Sequence, residues 1–66
     1  MSVAKVIEIT AESSESFEDA IRKGIERASE TVDNIKAAWV KEQQVTIENN
    51  QIAQFRVSLK VTFVLK

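Results

Sequence analysis

Hydrophobic residues alternate with polar ones most regularly near the C-terminus. Phe55, Val57, Leu59, Val61, Phe63 and Leu65 fall on one side of an extended chain, and Gln54, Arg56, Ser58, Lys60 and Thr62 on the other. A period of two is the mark of a strand with one buried face, so Ile52 to Leu65 is expected to be a strand. Val3 to Thr10, rich in β-branched Val3, Val6, Ile7, Ile9 and Thr10, is a second such segment. Between them the spacing changes. Phe17, Ala20, Ile21, Ile25, Ala28 and Val32 recur at steps of three and four, which makes one apolar stripe on a helix running to about Val32. Gly24 lies on the same side, where it costs about 1 kcal/mol against Ala and is tolerable if another group packs close.

The polar run Ala11 to Ser16 leads into this helix. Ser14 or Ser16 can cap it, Ser16 with Asp19 is a near match to a capping box, and Glu15, Glu18 and Asp19 suit the positive end of its dipole. Arg22, Lys23, Glu26, Arg27 and Glu30 form the opposite, solvated face, with Glu18–Arg22 an attractive i,i+4 pair. Asp33-Asn34 ends the helix. Ala37 to Glu48 is a further strand, and Asn49-Asn50 is a hairpin signal because Asn tolerates the left-handed backbone of a type I′ turn. The order is strand, helix, strand, strand.

If Glu48 pairs with Gln51, then Trp39 faces Lys60 and Ala37 faces Thr62. Trp39 is then on the sheet face away from the helix, expected together with Val45, Ile47 and Val64. Ala38, Val40, Glu42, Gln44 and Thr46 are expected on the helix side. One helix leaves the far face bare. An uncovered Trp beside aliphatics marks an interface or a ligand site, and long bare strand edges invite pairing with other chains.

Composition sharpens this picture. The chain has 66 residues, read as one domain spanning residues 1–66, and a chain this small buries only about 60% of its unfolded surface. There is no Cys and no His. That removes disulfides, Cys/His zinc sites and thiol or imidazole catalysis, leaving partner subunits as the common remedy for a small core. Nine Lys and Arg stand against ten Asp and Glu, with no basic block for nucleic acid. No apolar run approaches the roughly 20 residues of a membrane span, and the N-terminus lacks a signal-peptide layout. A cytoplasmic protein without nucleic-acid or membrane partners is expected. With one glycine there is no phosphate-cradling loop, and no Ser sits in a nucleophile-elbow context, so an enzyme is not expected.

Four segments together resemble the dodecin family: Lys5-Val6-Ile7-Glu8-Ile9, then Phe17-Glu18-Asp19-Ala20-Ile21 after a Ser-rich stretch, then Ala28-Ser29-Glu30-Thr31-Val32-Asp33-Asn34-Ile35, then Phe55-Arg56-Val57-Ser58-Leu59-Lys60-Val61-Thr62-Phe63. The resemblance implies an α+β, β-α-β-β fold, its three-stranded antiparallel sheet wrapped around one helix, assembling as a hollow homododecamer. It also implies storage or sequestration of a flavin (riboflavin, FMN or FAD) stacked between subunits. At the flavin-equivalent positions this chain has Ala37 in place of the stacking Trp and Arg56 in place of a Gln, with its Trp39 two residues along, roughly 6–7 Å away on the same face. In this the chain looks like the calcium dodecin-like branch. The ligand-pocket positions are thus Ala37, Trp39 and Arg56. Flavin is expected in a changed geometry or not at all, and calcium or another ion held by a flavin-free shell is the alternative. Glu12, Ser13, Ser14 and Glu15 are the oxygen-bearing residues near the helix start where such an ion would sit, without the order of an EF-hand loop.

Each residue also has a plainer reading. Trp39 can be an interface anchor with Lys60 over its face, and Arg56 can pair with an acidic residue of another subunit. The acidic helix start can simply complement the dipole. A dimeric adaptor that pairs strands with another protein is the third possibility.

Overall fold

A computed structural model describes residues 3–65. β1 (Val3–Ser13), α1 (Phe17–Ala28), β2 (Ile35–Glu48) and β3 (Gln51–Leu65) follow one another along the chain. The strands form one antiparallel sheet in the order β1-β3-β2. The alternating segment is therefore the central strand, and α1 packs on β1 and β3.

The core is small because the layers are few. Ala20, Val57, Leu59 and Val61 are fully buried, with Ile7, Ile9, Ala11, Phe17, Ile21, Ile25 and Ile35 packed around them. These are the inward positions of β1 and β3 and the apolar stripe of α1, as the two periodicities dictate. Phe55 and Phe17 meet edge to face, their ring centroids 5.1 Å apart. Gly24 is buried in the tightest part of the helix–sheet contact, between Ala11, Leu59 and Ile9.

Several boundaries differ from the sequence reading. β1 extends to Ser13 because Glu12 and Ser13 pair with Arg56 and Phe55 on β3. Ladder bonds and one ion pair override the polar composition of that stretch. α1 stops at Ala28, four residues short of Val32. Ser29, Glu30 and Thr31 close the turn with bonds to Ile25, Arg27 and Ala28 carbonyls, and Asn34 takes a positive φ of 63° that turns the chain into β2. β2 begins at Ile35 rather than Ala37.

The β2–β3 hairpin closes as expected, with Glu48 opposite Gln51 and both Asn49 and Asn50 at positive φ. Within it the register shifts three times, once at Lys36 near the start of β2 and twice nearer the turn. Ala53 bulges from β3 and Lys41 from β2. The two bulges cancel, so Trp39 still faces Lys60 and Ala37 still faces Thr62. Beyond Lys41, as far as the turn, the alternation of β2 is inverted relative to Trp39, so Ile47 as well as Val45 leaves the face expected for it. Val45 faces Phe55 on the helix side, and Gln43 faces Val57. Val45 is thus not beside Trp39, and Glu42, Gln44 and Thr46 turn away from the helix, not toward it. A bulge places two residues against one and flips the alternation beyond it, which a strict period of two cannot anticipate.

The molecule measures 51 × 19 × 14 Å. A helix of 12 residues is about 18 Å long, so most of the hairpin extends past it. Nearly all of β2 is exposed, and Val6, Trp39, Val40, Ile47, Ile52 and Leu65 are large apolar side chains left in solvent. Among the described residues no helix is long and apolar enough to cross a membrane.

Candidate ligand face

The face of the sheet away from α1 is built in rows by the two ladders, since residues directly opposite share a face. Val6, Thr62 and Ala37 form one row. Glu8, Lys60 and Trp39 form the next, then Thr10, Ser58 and Glu42, then Glu12, Arg56 and Gln44. The three pocket positions read from the sequence, Ala37, Trp39 and Arg56, therefore do share this face. Trp39 and Ala37 are on adjacent rows of β2. Arg56 lies two rows from Trp39 on β3.

Trp39 is 69% exposed, and the described residues provide no layer over it. The Lys60 ammonium stands 5.7 Å from its ring centroid, a cation–π arrangement. Lys41, one of the bulged residues, sends its ammonium across the central strand to Glu8, with Nζ 3.2 Å from Oε2. Glu8 and Lys41 were not anticipated as site residues. Alternation from Trp39 already places Lys41 on this face, but its pairing with Glu8 across the central strand depends on the ladder register.

Arg56 is engaged within its own chain. Its Nε and Nη2 donate to Glu12 Oε1 at 2.8 and 2.6 Å. Its acidic partner within the subunit is thus Glu12 of β1. The pair is partly exposed, so its strength is that of a screened surface ion pair. It directs the guanidinium toward β1 and engages one of the oxygens considered for an ion.

At the helix start the hydrogen bonds are local. Ser16 caps α1 by accepting from the Asp19 N–H at 2.9 Å. The Asp19 carboxylate does not return to Ser16 to complete a capping box. It accepts from Ser13 Oγ at 2.6 Å, and that buried hydroxyl in turn accepts from the Glu15 N–H at 2.9 Å. Lys23 Nζ lies 3.0 Å from the same carboxylate. The Ser13 hydrogen bond, then Lys23, hold Asp19 below its ordinary pKa of 3.8, and the Asp19 carboxylate holds Lys23 above 10.5. Ser14 and Glu15 are exposed. Among the described residues no group of three or more acidic side chains is placed to hold a metal ion; of the oxygen-bearing residues here, Glu12 pairs with Arg56 and Ser13 with Asp19.

A groove of about 410 Å³ runs between the β1 edge and α1, with Ile7, Ile9 and Ala11 on one wall and Gly24, Ala28 and Val32 on the other.

A family model described as Dodecin matches residues 3–66. The chain is 36% identical to calcium dodecin of Mycobacterium tuberculosis over 66 residues, covering 100% of this chain and 93% of that protein. Among solved structures, dodecin from Streptomyces davaonensis superposes with a TM-score of 0.95 at 37% identity, covering 98% of this chain and 96% of that one. The crystal structure of Mycobacterium tuberculosis calcium dodecin, described as calcium-chelating with a novel calcium-binding site, superposes at 0.84 with 35% identity, covering 97% and 91%. A strand-helix-strand-strand chain matched over its whole described length, with the same three-stranded sheet, belongs to the dodecin family.

Proposed function

We propose that this chain is the subunit of a dodecameric shell that binds and stores a small planar ligand, flavin being the family ligand, and that it performs no catalysis. The observation that carries the reading is Trp39: an indole 69% exposed, on a sheet face that nothing in the subunit covers. Tryptophan in that setting is a stacking platform for a flat ring at a contact between copies. Ala37 beside it leaves room, where a second large ring would fill the row. Arg56, paired with Glu12, places its guanidinium two rows away on the same face. The ring would bind in a geometry shifted along β2 toward Trp39.

Self-assembly has its own physical support. The inner face of β2 is bare beyond the helix, and both sheet edges are open. Copies of the same chain in a closed symmetric arrangement satisfy such edges without fibre growth.

Riboflavin fluorescence, titrated against purified protein whose mass has been measured by light scattering, tests both parts. Saturable quenching of riboflavin by a particle of about twelve chains is the expected result. An unquenched signal at micromolar concentrations removes the ligand reading, and a monomer or dimer mass removes the shell.

A second reading has a specific basis in the likeness to calcium dodecin: a flavin-free shell that holds calcium or another ion, with Glu12, Ser14 and Glu15 as the nearest oxygen donors. In this chain a calcium site there requires Glu12 to leave Arg56. An ion bound only to the folded state must raise its stability. A melting midpoint unchanged between millimolar calcium and chelator counts against this reading.

A further inference from the structure

Helix α1 sits off-centre on the sheet. It packs on β1 and β3, and the central-strand residues Val57, Leu59 and Val61 are fully buried. Their neighbours on β2 are not. Val40, opposite Leu59, is 37% exposed, and Ile47 and Ile52, opposite each other near the turn, are each 55% exposed. At the other edge the deficit is reversed. Gly24, Ala28 and Val32 of α1 and Ile9 and Ala11 of β1 wall the open groove of about 410 Å³. Thr10, whose side chain belongs to the far face, also borders it, so the groove lies at the free edge of β1. One edge of the subunit has apolar strand without helix, and the other has apolar helix without strand.

Area and charge indicate what completes both. The chain exposes 4933 Å² of surface, against about 4200 Å² for a folded monomer of its mass. The excess of about 700 Å² approaches the roughly 800 Å² that each partner gives to a stable interface. The cations on the groove rim are already paired, Lys23 with Asp19 and Arg27 with Glu30, which suits an uncharged apolar occupant. The helix-side face of the hairpin offers one: Val40, Val45, Ile47 and Ile52 carry no charge. We infer that the groove between β1 and α1 receives this hairpin face from a second copy of the chain. The contact is head-to-tail, each copy giving its hairpin to one neighbour and its groove to another, which builds a ring where the rotation closes. A two-fold pairing of hairpin with hairpin would cover β2 and leave the groove empty. The inference rests on the self-assembly proposed above and deepens it by naming the two surfaces.

The chain has no Cys, so introduced thiols report this contact without background. Arg27 stands on the groove rim and Ile47 near the hairpin turn, both exposed. About 20 Å of β3 separates their levels within one chain, beyond the reach of a short bismaleimide. Treated with that reagent as the assembled particle, the double variant Arg27→Cys/Ile47→Cys should give covalent dimers and larger products on a denaturing gel. Each single variant should run as a monomer. A covalent dimer from Ile47→Cys alone shows hairpin meeting hairpin and overturns the inference. So does a double variant that stays monomeric on the gel while light scattering shows an assembled particle. A monomer mass in light scattering for the unmodified protein overturns the assembly and the inference together.

Discussion

The side chain that Gly24 lacks would begin 3.0 Å from the Cβ of Ala11. Helix α1 and strand β1 approach so closely there that two methyl groups do not fit at ordinary contact distance, and Leu59 Cδ1 and Ile9 Cδ1 close the remaining space at 3.5 and 3.6 Å. Gly24→Ala would gain about 1 kcal/mol of helix propensity but must push α1 off the sheet. The overpacking is expected to win, with a net loss of about 1–2 kcal/mol. Ala11→Gly should restore the space, so the double variant should be more stable than the sum of the two single changes. Denaturant midpoints of the four proteins measure this, and strict additivity would show that the contact is not limiting.

Ser13 and Asp19 make stability depend on pH at the acid end. A carboxylate with a folded pKa below its unfolded value stabilises the fold above that unfolded value and loses the contribution as pH falls through the folded one. Asp19 is such a group, through Ser13 first and Lys23 second, so its contribution should be intact above about pH 4 and disappear at lower pH. Lys23 has the opposite sign: its raised pKa stabilises the fold below 10.5, and that stability is lost as pH rises through the folded value. Thermal midpoints between pH 2 and 6 should fall more steeply for the unmodified chain than for Asp19→Asn. Parallel curves would remove Asp19 from the acid transition.

The hairpin turn has a stereochemical requirement. Asn49 and Asn50 have φ of 52° and 63°, the left-handed region that β-branched residues resist at a cost of about 1–2 kcal/mol. Asn50→Val should lower stability by about that amount, and Asn50→Gly should retain it, since Asn-Gly is the preferred I′ pair. Chemical denaturation reports both. A neutral Asn50→Val would mean that the turn can change type without penalty.

Trp39 separates ligand platform from interface anchor. Trp39→Ala removes an exposed ring and leaves the buried set Ala20, Val57, Leu59 and Val61 untouched. As a platform, its loss should weaken riboflavin binding about tenfold or more, in line with aromatic stacking on a flat ring, with the particle mass unchanged. Dissociation of the particle in light scattering, with no separate loss of riboflavin affinity, would make Trp39 an anchor instead.

The sequence by itself determined the order of the elements, the apolar stripe of α1, the central strand's inward face and the Asn49-Asn50 turn, because these follow from local periodicity and backbone preference. It also placed Trp39 opposite Lys60 and on the bare face, although counting from the turn succeeds only because the bulges at Ala53 and Lys41 cancel. Tertiary structure decided the rest. The inversion of Val45, the reach of Lys41 to Glu8, the turning of Glu12 to Arg56 and the linking of Ser13 to Asp19 all depend on ladder register and on which strand is central. A bulge is a choice made by two strands at once, as a long twisted hairpin adjusts its hydrogen bonds. Neither strand's own pattern of polar and apolar residues carries it.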